Sequence, residues 1–284
     1  SRNLSSNKVL KMNILDQIVA HKRQEVADQK ALYPTKLLEK SIYFQTPCVS
    51  LRHYLTRTDL SGIIAEYKRK SPSQGDINPY ASVERVSIGY MQAGASALSI
   101  LTDQKFFGGK NADLELARQM NYCPILRKDF IIDEYQIVEA RSIGADVILL
   151  IAAVLTEEEI QRLGDFAHSL GMEVLMEVHD EDELKKGLSE RIDLVGVNNR
   201  NLKDFTVDIQ TSLDLAQQIP STFVKVAESG LSRPEEVVRL RTAGYQGFLM
   251  GQRFMEQPRP EKACAQFIER LKDLTPEDKP QTSI

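Results

Sequence analysis

Ile63-Ile64-Ala65-Glu66-Tyr67-Lys68-Arg69-Lys70-Ser71-Pro72-Ser73 is the stretch on which the fold turns. An apolar run breaks into charges and then into turn residues. In an extended strand, alternate residues face the same way, so Glu66 and Lys68 project together and Lys70 follows near the strand's end. Charges on the inward side of a strand are costly unless something pairs or uses them. Pro72 sets its own φ and Gly75 permits a tight bend, so the strand closes in turn chemistry. Taken alone, the stretch fits a functional strand end or the solvated basic tip of an edge strand. It does not carry the glycine-rich phosphate turn that usually follows the first strand of a doubly wound sheet.

Working outward from it, β-rich runs alternate with amphipathic helical patterns. The expected strands are 62–67, 97–101, 124–127, 147–151, 173–177, 194–198, 223–227 and 247–250. Helical spacing fills the gaps at 83–91, 113–120, 134–143, 157–170, 181–188, 209–217 and 234–242, with a last helix from 260 to about 271. Several helices close on glycine before the next strand, as at Gly94, Gly144 and Gly244. Eight such pairs over roughly 215 residues predict a single α/β domain, a (β/α)8 TIM barrel. Ahead of it, 12–30, 35–41 and 50–55 read as helices of an N-terminal extension. The expected organisation is a flexible tail over 1–11, the helical extension over 12–58, the barrel over 59–272 and a tail over 273–284. In the extension, Lys22 and Arg23 read as solvated.

Composition narrows the function. The chain has 284 residues, 42% hydrophobic and 27% charged, with a formal net charge of −4. Such a balance gives no global attraction to nucleic acid or an anionic membrane, so any anion site must be local. No apolar run approaches the roughly 20 residues that span a bilayer. Cys48, Cys123 and Cys264 are widely spaced and form no CxxC or Cys/His cluster, which suggests reduced thiols in a cytoplasmic protein and no metal site.

In a barrel, chemistry gathers where the strands end. Those ends carry Glu66 and Lys68, then Arg127-Lys128-Asp129-Phe130, Glu177-Val178-His179, Asn198-Asn199-Arg200-Asn201-Leu202, Glu228-Ser229-Gly230 and Gly251-Gln252. Each residue alone fits a solvated loop, but a closed barrel brings all of them to one mouth. Opposite charges in one pocket also shift each other's pKa, which acid–base chemistry needs. The turns at Gly230 and Gly251 follow strands seven and eight, where barrels commonly bind phosphate through backbone N–H groups.

These segments, together with Phe106-Phe107-Gly108-Gly109 and Met172-Glu173-Val174-Leu175-Met176-Glu177, make the chain resemble indole-3-glycerol-phosphate synthase from about Met12 to Leu271. The resemblance implies ring closure, decarboxylation and dehydration of 1-(2-carboxyphenylamino)-1-deoxyribulose 5-phosphate, with no organic cofactor or metal. It implies catalytic roles for Lys128, Glu177, Lys68, Glu66 and Asn198. Substrate contacts would come from Arg200, Glu228, Ser229, Phe107, Phe130 and Leu202. Phosphate contacts would come from Ser71, Lys70, Gly230, Gly251 and Gln252. Many members carry a serine, or Glu followed by Ser or Thr, after the strand-eight glycine, whereas this chain has Gln252-Arg253, so only backbone donation carries over there. It also implies that the extension lies near the mouth; the chain is further expected to be a monomer that works without nucleic acid or membrane. Lys128, beside other cations, is expected to have its pKa lowered toward acid catalysis. A phosphoribosylanthranilate isomerase would need a Cys/Asp pair, but Cys123 precedes a strand; a catalytically dead phosphate-binding subunit would not need the intact acid–base set.

Overall fold

Runs such as Val147–Ile151 and Leu194–Asn198 are rich in β-branched and apolar residues on both faces, the pattern of parallel strands covered on both sides. The computed structural model describes residues 13–275. Eight strands form a closed parallel barrel: β1 (Ile63–Tyr67), β2 (Ala97–Leu101), β3 (Ile125–Lys128), β4 (Val147–Ile151), β5 (Glu173–Val178), β6 (Leu194–Asn198), β7 (Val224–Glu228) and β8 (Gly247–Met250). Each pairs with its sequence neighbours, and β1 closes the ring against β8 through Ile63 opposite Phe248. The expected (β/α)8 architecture is therefore the observed one. Three strand ends lie one residue later than expected, which makes Lys128, Val178 and Glu228 the last residues of β3, β5 and β7.

Alternation sorts the strands' side chains. Ile64, Leu126, Leu149, Leu175 and Val226 fill the barrel interior, while Ile63, Ile100, Ile148 and Val195 pack outward against the helices. The outer helices begin with side-chain caps: Thr156 and Glu159 form a reciprocal capping box at Glu157–Ser169, and Ser82 caps Val83–Ala93. The last helix runs on to Leu274, three turns of apolar face against Val83–Ala93 and Pro234–Thr242. The expected tail over 1–11 and positions 276–284 of the other tail lie outside the described residues.

The extension serves both ends of the barrel. Its first helix, Ile14–Leu32, lies across the mouth and puts Ile14, Leu15 and Ile18 on the cavity wall. The chain then runs down the side, where Ser41 Oγ donates to the Ser142 carbonyl at 2.5 Å and the Val49 N–H donates to Asp146 at 2.8 Å. At the bottom, Ser50 Oγ donates to Glu173 at 2.9 Å, and Leu51 and Leu55 of the short helix Leu51–Thr56 join the interior cluster.

Lys22 is not solvated, contrary to the expectation for it. Its side chain is 1% exposed and its ammonium lies 2.8 Å from Asp103, 3.0 Å from Asp129 and 2.6 Å from Glu25. The loops after β2 and β3 supply the two aspartates, so a pattern local to the helix does not reveal them. Burial opposes the charge, but Asp129 and Asp103 overcome it and raise the Lys22 pKa. Arg23, one residue on, is exposed as expected.

Candidate active site

The mouth of the barrel holds a cavity of about 570 Å³, within the range of small-molecule sites. Glu66 stands at its floor, 3% exposed and inward-facing on β1. Ser99 of β2 donates to Glu66 Oε2 at 2.7 Å, Lys128 Nζ of β3 lies 3.5 Å from the same oxygen, and Lys68 Nζ lies 4.0 Å from Oε1. One carboxylate therefore serves two ammonium groups, neither in a tight ion pair.

Across the cavity, β5, β6 and β7 bring Glu177, Asn198 and Glu228 together. Gly196 makes this possible, because a Cβ there would lie 2.6 Å from Glu228 Oε1. Both Glu228 oxygens are buried with no hydrogen-bond donor against them, which makes a second negative charge beside Glu177 costly. Burial and then the Glu177 charge push the Glu228 pKa well above the usual carboxylate range. Glu177 is displaced the other way: burial pushes it up, but hydrogen bonding with Glu228 and Asn198 and the charges of His179 and Lys128 hold it lower.

The two lysines also separate, and not as expected. Burial lowers the Lys128 pKa, but Glu66, Glu228 and Glu177 outweigh it and the net direction is up. Lys68 moves down, through burial and the neighbouring charges of Lys128 and Arg200. The expectation of a lowered Lys128 pKa is thus corrected: the carboxylates of three strands surround it, and Lys68 is the lysine made acidic.

One end of the cavity is apolar. Phe107 and Phe130 face each other with ring centroids 5.9 Å apart, and Leu202 and Ile18 complete the wall. The other end is built from Ser71, Ser229, Gly230, Gly251 and Gln252. Ser229 and Gly230 both take positive φ, 68° and 74°, a conformation that turns successive N–H groups toward one point. Glycine is required at 230 for a second reason: a Cβ there would lie 2.1 Å from Val207 Cγ1, where the loop after β6 sits on the turn. That loop is held by Arg200, whose Nη1 donates to the Phe205 carbonyl at 3.1 Å and whose N–H donates to Asn198 Oδ1 at 3.0 Å.

Of the residues given catalytic, substrate or phosphate roles from the sequence, all line the cavity except Lys70, while Arg127, His179, Asn199 and Asn201 of the same strand ends stay off its wall. Lys70 pairs in a two-residue hairpin with Asp76, and its side chain lies along Gly108. The hairpin breaks the strand alternation that aimed Lys70 inward. Arg69 points away, forked onto Asp113 at 2.5 and 3.0 Å. Sequence reasoning missed Ser99, which the inward parity of β2 signals, and Arg253 and Glu256, which look like surface positions of short helical segments but line the polar end. Arg253 Nε donates to the Ser232 carbonyl at 3.1 Å, a bond that ties the loops after β7 and β8.

Comparison with known proteins bears on this geometry. A family profile described as "Indole-3-glycerol phosphate synthase" matches residues 15–267. A protein of that name from Bacteroides thetaiotaomicron is 48% identical over 259 residues, covering 91% of this chain and 99% of the relative. Namesakes from Magnetococcus marinus (42% identical; 91% and 99% covered) and Koribacter versatilis (44%; 89% and 98%) are similar over nearly the same span. A solved structure described as "Native KDPGal structure" superposes with a TM-score of 0.52 at 17% identity, covering 76% of this chain and 95% of that one, a likeness of fold alone. The chain belongs to the indole-3-glycerol phosphate synthase family.

Proposed function

We propose that Lys128 and Lys68 act in turn on one substrate oxygen, first a ketone and then a departing hydroxyl, with Glu177 and Glu66 as proton acceptors. The family reaction converts 1-(2-carboxyphenylamino)-1-deoxyribulose 5-phosphate to indole-3-glycerol phosphate, carbon dioxide and water, a decarboxylating lyase step of tryptophan biosynthesis. The ring carbon bearing the carboxylate attacks the ketone carbon. A carbon–carbon bond forms, and the carbonyl electron pair goes to oxygen, which is stabilised as it gains charge and takes a proton from the lysine ammonium facing it to become the hydroxyl. Loss of carbon dioxide restores the aromatic ring. Water then leaves, one group protonating the hydroxyl while another takes a proton from the nitrogen side of the new ring.

Lys128, kept charged by three carboxylates, suits the first task as a fixed ammonium aimed at the oxyanion. Lys68, whose pKa is lowered, gives up a proton more readily and suits the second. Glu177, held toward its ionised form, suits the base, and Asn198 orients it. Glu228 retains the proton that the pair shares. Phe107, Phe130 and Leu202 suit the anthranilate ring, with Arg200 a further cation for an anionic substrate. Ser71, Gly230, Gly251 and Gln252 suit the phosphate, with Ser229 at their edge and Arg253 as the cation at that end. The observation that carries the proposal is two lysines on one carboxylate, displaced in opposite directions.

A cytoplasmic monomer accompanies this reading. The unpaired cysteines fit a reducing compartment; no helix among the described residues is long and apolar enough to cross a membrane. The test is direct: the purified chain, given the ribulose phosphate, should release indole-3-glycerol phosphate, followed by indole fluorescence. Lys68→Met should let ring closure and carbon dioxide release outrun product formation, seen as carbon dioxide without matching indole. Equal loss of both would overturn the division between the lysines.

A further inference from the structure

His179 stands just beyond β5, two residues past Glu177, and does not line the cavity. Its ring is fixed from behind. Nδ1 lies 3.0 Å from Glu183 Oε1, and the same oxygen accepts the His179 backbone N–H at 3.1 Å. Glu183 is itself held in the first turn of helix Glu181–Gly187, where its N–H donates to Asp180 at 2.8 Å. This leaves Nε2 directed at Glu177 Oε2, 3.9 Å away, buried and without a hydrogen-bond partner.

We infer that His179 is an imidazolium strung between Glu183 and Glu177, a positioning residue that keeps Glu177 ionised from outside the cavity. The inference rests on the reading of Glu177 as the base. A neutral ring donating Nδ1–H to Glu183 would turn a bare nitrogen lone pair toward a carboxylate, an unsatisfied and repulsive arrangement. The doubly protonated ring donates Nδ1–H to Glu183 and sets its second N–H toward Glu177 at an ion-pair distance of 3.9 Å. The charged groups nearest it are Glu183, Glu177 and Asp180, all acidic; beyond Glu177 stand Glu228 and Lys128. Burial opposes the imidazolium, but Glu183 and Glu177 outweigh it and raise its pKa. Helix capping does not account for it, since a cation at a helix N-terminus runs against the helix dipole. The consequence for the glutamate pair is a fixed polarity: with a cation behind Glu177, the shared proton rests on Glu228.

The test is the pH dependence of kcat for the full chain and its His179→Gln and Glu183→Gln variants, with Glu177→Gln as control. Removing the cation lets the Glu177 pKa rise, so the acidic limb of His179→Gln should move to higher pH by roughly one unit, the scale of a single charge at this distance. Glu183→Gln should move it the same way by less. KM should stay within about twofold, because neither residue touches the cavity. In 15N-histidine spectra of the unmodified chain, the His179 resonances, assigned by their loss in His179→Gln, should show both nitrogens protonated at pH 7. A limb that stays put in both variants, or a neutral His179 at pH 7, would overturn the inference. If Glu177→Gln keeps its kcat, the base assignment falls and the inference with it. If that control is inactive while the limb stays put, only the inference falls. Should His179→Gln not fold, Glu183→Gln and the spectra decide.

Discussion

Arg127, Lys128 and Asp129 are consecutive, yet they serve two buried charge clusters of opposite character. Arg127 points out of the barrel and Asp129 up to the N-terminal helix, where every charge meets a close partner. Arg127 pairs with Glu139 at 2.5 Å and donates to the Gln136 carbonyl at 2.9 Å, while Asp129 accepts from Thr102 at 2.6 Å and contacts Lys22 at 3.0 Å. Lys128 points into the mouth, where pairs are loose, at 3.5 and 4.0 Å, and Glu228 has no donor at all. The tight cluster fixes positions. The loose one leaves lone pairs and protons unclaimed, and those are what a substrate can use.

Substitutions across the two clusters should separate rate from stability. Lys128→Ala should reduce kcat by at least about 10²–10⁴-fold while thermal unfolding shows the fold intact; a near-normal kcat would break the comparison. Glu177→Gln should lower kcat by about 10²-fold and KM far less, by steady-state kinetics; a change in KM alone would make Glu177 a binding group. In the tight cluster the loss should be in stability. Lys22→Met takes the shared ammonium from buried Asp103 and Asp129 and leaves Asp129 only Arg127 as a cation, at 3.9 Å, for about 3–5 kcal/mol in urea unfolding, with a raised KM as Ile14, Leu15 and Ile18 lose their seat.

Smaller effects sharpen the contrast. Arg253→Ala should raise KM about tenfold, a charged hydrogen bond being worth about 1.5–3 kcal/mol, without moving kcat. Glu228→Gln should cost activity yet raise Tm increasingly with pH. Its folded pKa is raised, so the stability Glu228 contributes is full below the ordinary carboxylate pKa and is lost as pH climbs through the raised value; glutamine does not titrate. A Tm that falls equally at pH 6 and pH 9 would place Glu228 with the structural charges.

Most of the mouth was legible because inward positions obey a period of two. Once β1 is placed, Glu66 and Lys68 must face in, and the same parity aims Lys128, Glu177, Asn198 and Glu228. The reading failed where that parity ends or where partners come from afar. Lys70 lies beyond the strand, in a hairpin that re-aims it. Lys22 shows an ordinary helical position, and its aspartates arrive from two barrel loops. The direction of the Lys128 pKa depends on carboxylates from β1, β5 and β7 being near at once, which only the closed barrel provides. Arg253 sits on the exposed side of a short helix whose Phe254 and Met255 are buried, and nothing local marks it as facing the cavity.

The strap that joins mouth and bottom has a consequence for assembly. Its hydrogen bonds to Ser142, Asp146 and Glu173 span 101, 97 and 123 positions along the chain. Contacts of such separation carry a large loop-closure cost and form late. The extension therefore waits for β4 and β5 before it can settle, and Leu51, Leu55 and the mouth helix dock onto a barrel already begun. During that interval the bottom is unplugged and the mouth uncovered, and the same interval is the window in which a chaperone or a protease meets this chain.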